Sequence, residues 1–125
     1  MNEKQTTRCV KKWRDKLYLG EWEINVTFED IKAPDNSEYF RADAKSEVKS
    51  EYLTSHITFQ KGQDVLEETV VHELVHILTS EMFGYCLAND PRANEKENWT
   101  DYFNERLVTR ITRFLMDSRT KGDKI

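Results

Sequence analysis

His72, Glu73 and His76 lie in the run Thr69-Val70-Val71-His72-Glu73-Leu74-Val75-His76-Ile77-Leu78, and their types and spacing can do chemistry. On a helix each residue turns by about 100° and rises about 1.5 Å, so residues four apart stand one turn apart on one face, roughly 6 Å along the axis. Two imidazoles so placed address a single point, which suits one metal ion. Glu73 leaves the flank of that face, where a carboxylate can take a proton from a metal-bound water without ligating the metal. The bare spacing also arises by chance in a chain this rich in acidic residues. It would then amount to two solvated imidazoles and a surface carboxylate, so the element carrying the three residues has to decide.

That element reads as a helix. Asp64, with Glu67 three residues later, makes an N-cap with a capping-box partner, and the helix starts near 64. A wheel over 64–83 gathers Leu66, Val70, Val71, Leu74, Ile77, Leu78 and Met82 into one broad apolar stripe, with both histidines opposite it. The histidine side also holds Thr69, Glu73, Ser80 and Phe83 and no Lys or Arg, although 34% of the chain is charged. A solvated helix face normally collects such charges. Met82 to Cys86 reads as the helix end, with Gly84 able to take a left-handed cap, and Leu87 to Asn98 as a loop at the mouth of a cleft, a natural lid.

The other segments supply what must hold this helix. From about 4 to 18, Val10, Trp13 and Leu17 recur at helical spacing among Lys4, Arg8, Lys11, Lys12, Arg14 and Lys16, an amphipathic first helix whose basic side reads as solvated. Gly20 closes the turn after it. Trp22, Ile24, Val26 and Phe28 then alternate with polar residues, as do Ala42, Ala44, Ser46 and Val48, and again Leu53, Ser55, Ile57 and Phe59. Three half-buried strands follow from that period of two. His56 falls on the opposite face of its strand from Ile57 and Phe59 and reads as an ordinary surface histidine. A last helix, capped by Asn94 with Glu97 or by Asn98 with Asp101, or begun at Asp90-Pro91, carries Trp99, Tyr102, Phe103, Leu107, Val108, Ile111, Phe114 and Leu115. The expected fold is α+β: an N-terminal helix, a small three-stranded twisted sheet, the helix bearing the histidines and a C-terminal helix.

Composition narrows the class. The 125 residues make one domain, 1–125, of a size that can bury a single core. A hydrophobic content of 38% with many aromatics excludes a disordered chain, and a net charge of −4 gives no reason to expect nucleic acid as the main partner. There is no apolar leader and no membrane-length stretch, so a cytoplasmic protein without a membrane partner is expected. Cys9 and Cys86 are too few and too far apart for a disulfide framework or a cysteine zinc site.

The decapeptide from Thr69 to Leu78 resembles the extended signature of the zincin metallopeptidases, with an uncharged residue before the His-Glu pair, uncharged residues at Leu74 and Val75, and apolar residues after His76. The rest of the chain is similar only in architecture. The resemblance implies a Zn2+ ion held by His72, His76 and a third protein ligand, with Glu73 as catalytic general base. No His follows His76, which points away from the metzincin continuation and toward an acidic ligand as in the gluzincins. Glu97, Asp101 and Glu105 all sit on the last helical segment. The run from Asn104 to Ile111 resembles the Glu-bearing second helix of short bacterial and phage metallopeptidase-like proteins, which favours Glu105 and leaves Asp101 and Glu97 open; on the wheel these two lie nearer the edge of the apolar stripe than Glu105 does. The implied activity is hydrolysis of peptide bonds in a protein or peptide substrate: zinc acidifies its bound water, Glu73 removes the proton, and the hydroxide attacks a carbonyl polarised by the metal. Tyr85 and Tyr102 are the candidates for a second electrophile. An edge strand, 53–60 or 41–49, would pair with the extended substrate.

A distant similarity to SprT-type domains carries no expectation of their DNA-linked role, because these residues hold no zinc ribbon and no second domain. The small size implies a cleft that is shallow or completed by a partner. Three other readings stay open: a zinc-binding, non-proteolytic domain that recognises a protein partner, a regulator of the kind a phage or other mobile element carries, and a metal-free α+β module. The oligomeric state is not legible.

Overall fold

The computed structural model of the protein describes residues 1–31, 43–89 and 99–119, those at 83–89 and 99–102 by backbone alone. Helix α1, Glu3–Lys16, opens on a reciprocal capping box: Asn2 Oδ1 accepts the Gln5 N–H at 2.8 Å, and Gln5 Oε1 accepts the Asn2 N–H at 3.0 Å. It buries Cys9, Val10 and Trp13. The helix stops in a Schellman arrangement, the Tyr18 N–H donating to the Asp15 carbonyl at 3.2 Å and the Leu19 N–H to the Arg14 carbonyl at 2.9 Å. Tyr18 therefore takes the left-handed conformation, at φ 58°, and the turn expected at Gly20 follows at once, the Trp22 N–H donating to the Leu19 carbonyl at 3.0 Å. Burial of Leu19 fixes the chain there.

Strands β1 (Glu23–Glu29), β2 (Ala44–Lys49) and β3 (Thr54–Gln60) form one sheet in the order β1-β3-β2. The central β3 runs parallel to β1 and antiparallel to β2, so the sheet is mixed and open. Side chains alternate as the period of two requires. Ile57 and Phe59 face inward and are fully buried, Ile57 registered between Val26 and Ser46, and Phe59 between Phe28 and Ala44. The Phe28 and Phe59 rings stack with centroids 5.7 Å apart. His56 projects to the other face and bonds Thr27 Oγ1 through Nε2 at 2.8 Å, the satisfied surface histidine that alternation implies.

Helix α2 spans Glu67–Asn89. It begins at Glu67 and not at Asp64, because the first residue of the chain engages Val65: the Met1 ammonium donates to the Val65 carbonyl at 2.9 Å, and the Val65 N–H donates to the Met1 carbonyl at 3.1 Å. Those two bonds occupy both backbone groups of Val65 outside the helix. At its other end α2 continues through Gly84, since one interior glycine costs a helix only about 1 kcal/mol. Residues 87–89, expected in a lid loop, are its last turn, and the rest of that loop, 90–98, lies outside the described residues. Burial falls on Val70, Val71, Leu74, Val75 and Ile77, whereas Leu66, Leu78 and Met82 of the expected stripe are exposed.

Helix α3, Trp99–Asp117, packs antiparallel to α2 and inserts Val108 and Thr112 into the interior. Arg119, just past its end, pairs with Glu67 in the first turn of α2 at 2.8 Å. Among the described residues, three α-helices and a three-stranded sheet make the α+β architecture expected from the sequence. Among the described residues no helix is long and apolar enough to cross a membrane.

Candidate metal centre

The valines and leucine that bury α2 also aim its histidines. With residues 70, 71, 74, 75 and 77 turned to the core, the geometry of 3.6 residues per turn leaves 69, 72, 76 and 79 on the side facing the cleft and α3. The side chains of His72 and His76 are 28% and 18% exposed, and their rings meet edge to face with centroids 4.9 Å apart. Position 73 falls between the cleft and the core. Glu73 is accordingly only 7% exposed, and it still lines the cleft.

Glu105 reaches the pair from α3. Its Oε1 lies 2.8 Å from His76 Nε2, and its Oε2 lies 3.6 Å from His72 Nε2, the first a hydrogen-bonding distance and the second an electrostatic contact. Thr79, three residues past His76, donates to Asn104 Oδ1 at 3.3 Å and ties the neighbour of Glu105 to the same face of α2. The Glu67–Arg119 pair holds the far end of the two helices in the same register.

The donor set fits a zinc ion. One ligand atom each from His72, His76 and Glu105 lies within 4.8 Å of the others. Donors at about 2.0–2.2 Å from a common tetrahedral ion stand roughly 3.3 Å apart, so modest side-chain rotations bring these three to ligation. Two imidazoles and one carboxylate are also the ligand types such an ion accepts, and three protein ligands leave a fourth position toward the cleft. That cleft has a volume of about 510 Å3 and is lined by Asp43, Ala44, Leu66, Glu68, Thr69, His72, Glu73, His76 and Glu105.

All four expected site residues, His72, Glu73, His76 and Glu105, thus meet at one place. The alternative Glu97 lies outside the described residues, and so do the side chains of Asp101, the other alternative, and of Tyr85 and Tyr102. Of the two strands considered for the cleft, β3 is paired on both sides and cannot receive a further strand, whereas β2 is at the edge and lies against α2, its first residue Ala44 lining the cleft.

Ser46 on β2 is the residue that sequence reasoning passed over. Its hydroxyl donates to Glu73 Oε2. The available signal was its place as the one polar side chain between Ala44 and Val48 on the inward side of the strand. Cys9, by contrast, sits in the core away from this chemistry. Burial first, and then the Glu67 carboxylate, push its thiol pKa up to about 12, with Lys12 and the terminal ammonium opposing. It is an inert structural thiol.

Comparison with known protein families, curated proteins and solved structures finds no match to this chain.

Proposed function

We propose that this chain is a minimal zincin of gluzincin-like type, a zinc-dependent peptidase that hydrolyses peptide bonds in the cytoplasm. The observation that carries the reading is the convergence of His72, His76 and Glu105 on one point beside the buried carboxylate of Glu73, at an open cleft. His72, His76 and Glu105 would hold the ion. Bound there, zinc supplies a Lewis acid that brings a water's pKa toward neutrality and polarises a carbonyl. Glu73 would accept a proton from a water in the cleft and return it to the leaving nitrogen. Among the described residues β2 pairs on one side alone, and its other edge would offer backbone N–H and C=O groups to an extended peptide, which gives affinity with little sequence preference, so side chains along the cleft would select among peptides. A metal that served stability alone would require neither the cleft nor a carboxylate buried beside it.

Comparison of the wild type with Glu73→Gln tests this directly. The variant keeps its zinc, because Glu73 is not a ligand, and loses cleavage of a denatured-protein or peptide library by roughly 10²–10⁴-fold, the usual contribution of a general base. A wild type that takes up no zinc at low micromolar metal, or that carries zinc and cleaves nothing in the library, overturns the reading.

A further inference from the structure

We propose that Ser46 is a positioning residue that holds the Glu73 carboxylate in place for its role as base; this rests on the peptidase reading above. On the inward side of β2, Ala44 and Val48 pack against the core, and between them Ser46 stands opposite the fully buried Ile57. An apolar residue would fill that place at no polar cost. A serine there puts a half-buried hydroxyl beside the core, which is unfavourable unless the hydroxyl is hydrogen-bonded. Glu73 presents the same problem from the other side. At 7% exposure it has lost most of its water, and a buried carboxylate needs a donor. The Ser46 hydroxyl, donating to Oε2, answers both needs in one charge-assisted bond.

That bond also selects the geometry. A glutamate has three side-chain torsions and, facing a cleft of about 510 Å3, room to swing. Anchoring Oε2 to a strand fixes the plane of the carboxylate and leaves Oε1 to receive a proton from the cleft side. The strand that supplies Ser46 is also the edge strand beside the cleft, so the base and a bound peptide are referenced to one rigid element. Reactant and base held in one frame is the condition under which positioning accelerates a reaction.

Two measurements test the proposal, one of which needs neither metal nor activity. In the metal-free protein, a double-mutant cycle of Ser46→Ala and Glu73→Ala in urea reports the coupling of the two side chains. A coupling of about tenfold or more in the unfolding equilibrium constant is expected for a hydrogen bond to a charged group, and a factor below about two overturns the proposal. With zinc, Ser46→Thr and Ser46→Val are compared, two β-branched residues of like shape that suit a strand and differ in the hydroxyl. Ser46→Thr retains kcat within about threefold, whereas Ser46→Val loses roughly tenfold to a hundredfold in kcat with KM and zinc affinity unchanged, a part of what a general base contributes. Equal kcat in the two variants assigns Ser46 to packing alone and overturns the proposal. If the wild type cleaves nothing, the peptidase reading fails, and the metal-free cycle still decides whether Ser46 holds Glu73.

Discussion

Glu105 is the most exposed member of the candidate metal cluster, 59% against 28% and 18% for the two histidine side chains, yet it reaches both of them. An exposed carboxylate on a helix ordinarily contributes little to stability, because its interactions are screened by solvent. On the zinc-site reading proposed above, its place at the focus of two imidazoles would therefore matter for metal binding and not for the fold. Glu105→Gln preserves size and helix propensity while removing the charge and half of the ligating oxygens. Zinc affinity should fall by more than the roughly tenfold to hundredfold that loss of an outer-shell partner costs. Metal-free stability should stay within about 0.5 kcal/mol, as for a surface substitution. Titration with a competing chelator measures the first and urea denaturation the second. Asp101→Asn and Glu97→Gln in the same assay should leave zinc affinity near that of the wild type; a loss in either that exceeds the loss in Glu105→Gln transfers the ligand role to it.

At the scale of elements, the end of α1 offers a test of local backbone energetics. Tyr18 takes a left-handed conformation at φ 58° with its side chain 90% exposed, so it bears the steric cost of that conformation and gains almost no packing. The cost is about 1–2 kcal/mol for a residue with a Cβ, partly offset by the greater entropy that glycine loses on folding. Tyr18→Gly should accordingly raise stability by roughly 0.5–1 kcal/mol, or about 2–4 °C in Tm, and Tyr18→Ala should not. A Tyr18→Gly protein no more stable than Tyr18→Ala contradicts this account. The same turn marks what the sequence could and could not disclose. The period of two in residues 22–28, 42–48 and 53–59, and the helical period after Glu67, are properties of local chain geometry, so strands, helices and the His72–Glu73–His76 face were all legible. Glu105 was legible only through a resemblance, because its distance from the histidines depends on how α3 lies across α2. Among the points that failed, a distant contact overrode a local signal where Met1 holds Val65 out of the helix that Asp64 would have capped, and α2 runs on through Gly84, a residue that permits a helix to stop without forcing it to. Ser46 belongs with them, since its partner on α2 is 27 residues away.

For the molecule as a whole, the core joins α1, the sheet, α2 and α3 in one cluster, and Cys9 sits in it with no exposure. Because burial and the Glu67 carboxylate push its thiol up to about 12 from the ordinary 9.0, the folded chain keeps that proton at pH values where the unfolded chain releases it. A folded-state pKa above the unfolded one contributes stability that is complete below about pH 9 and is lost as pH rises toward about 12. Each pH unit across that window removes about 1.4 kcal/mol, so roughly 3 kcal/mol is lost between pH 9 and 11, a large share of the 5–15 kcal/mol typical of a domain. Lysines and tyrosines titrate in the same range, which makes a difference measurement necessary. Cys9→Ala is less stable at pH 8, since it leaves a small cavity, but it lacks the thiol's alkaline dependence. The stability gap between wild type and Cys9→Ala, read from urea denaturation, should therefore narrow by about 3 kcal/mol from pH 8 to pH 11 and reverse sign if the cavity costs less than that. The free thiol should also react with a neutral alkylating reagent at pH 8 only at the rate of global unfolding, because the core of α1 opens with the rest of the fold and not ahead of it. A gap that stays constant with pH, or alkylation of Cys9 much faster than unfolding, means that the thiol is not sealed by the packing that also sets α2 in place.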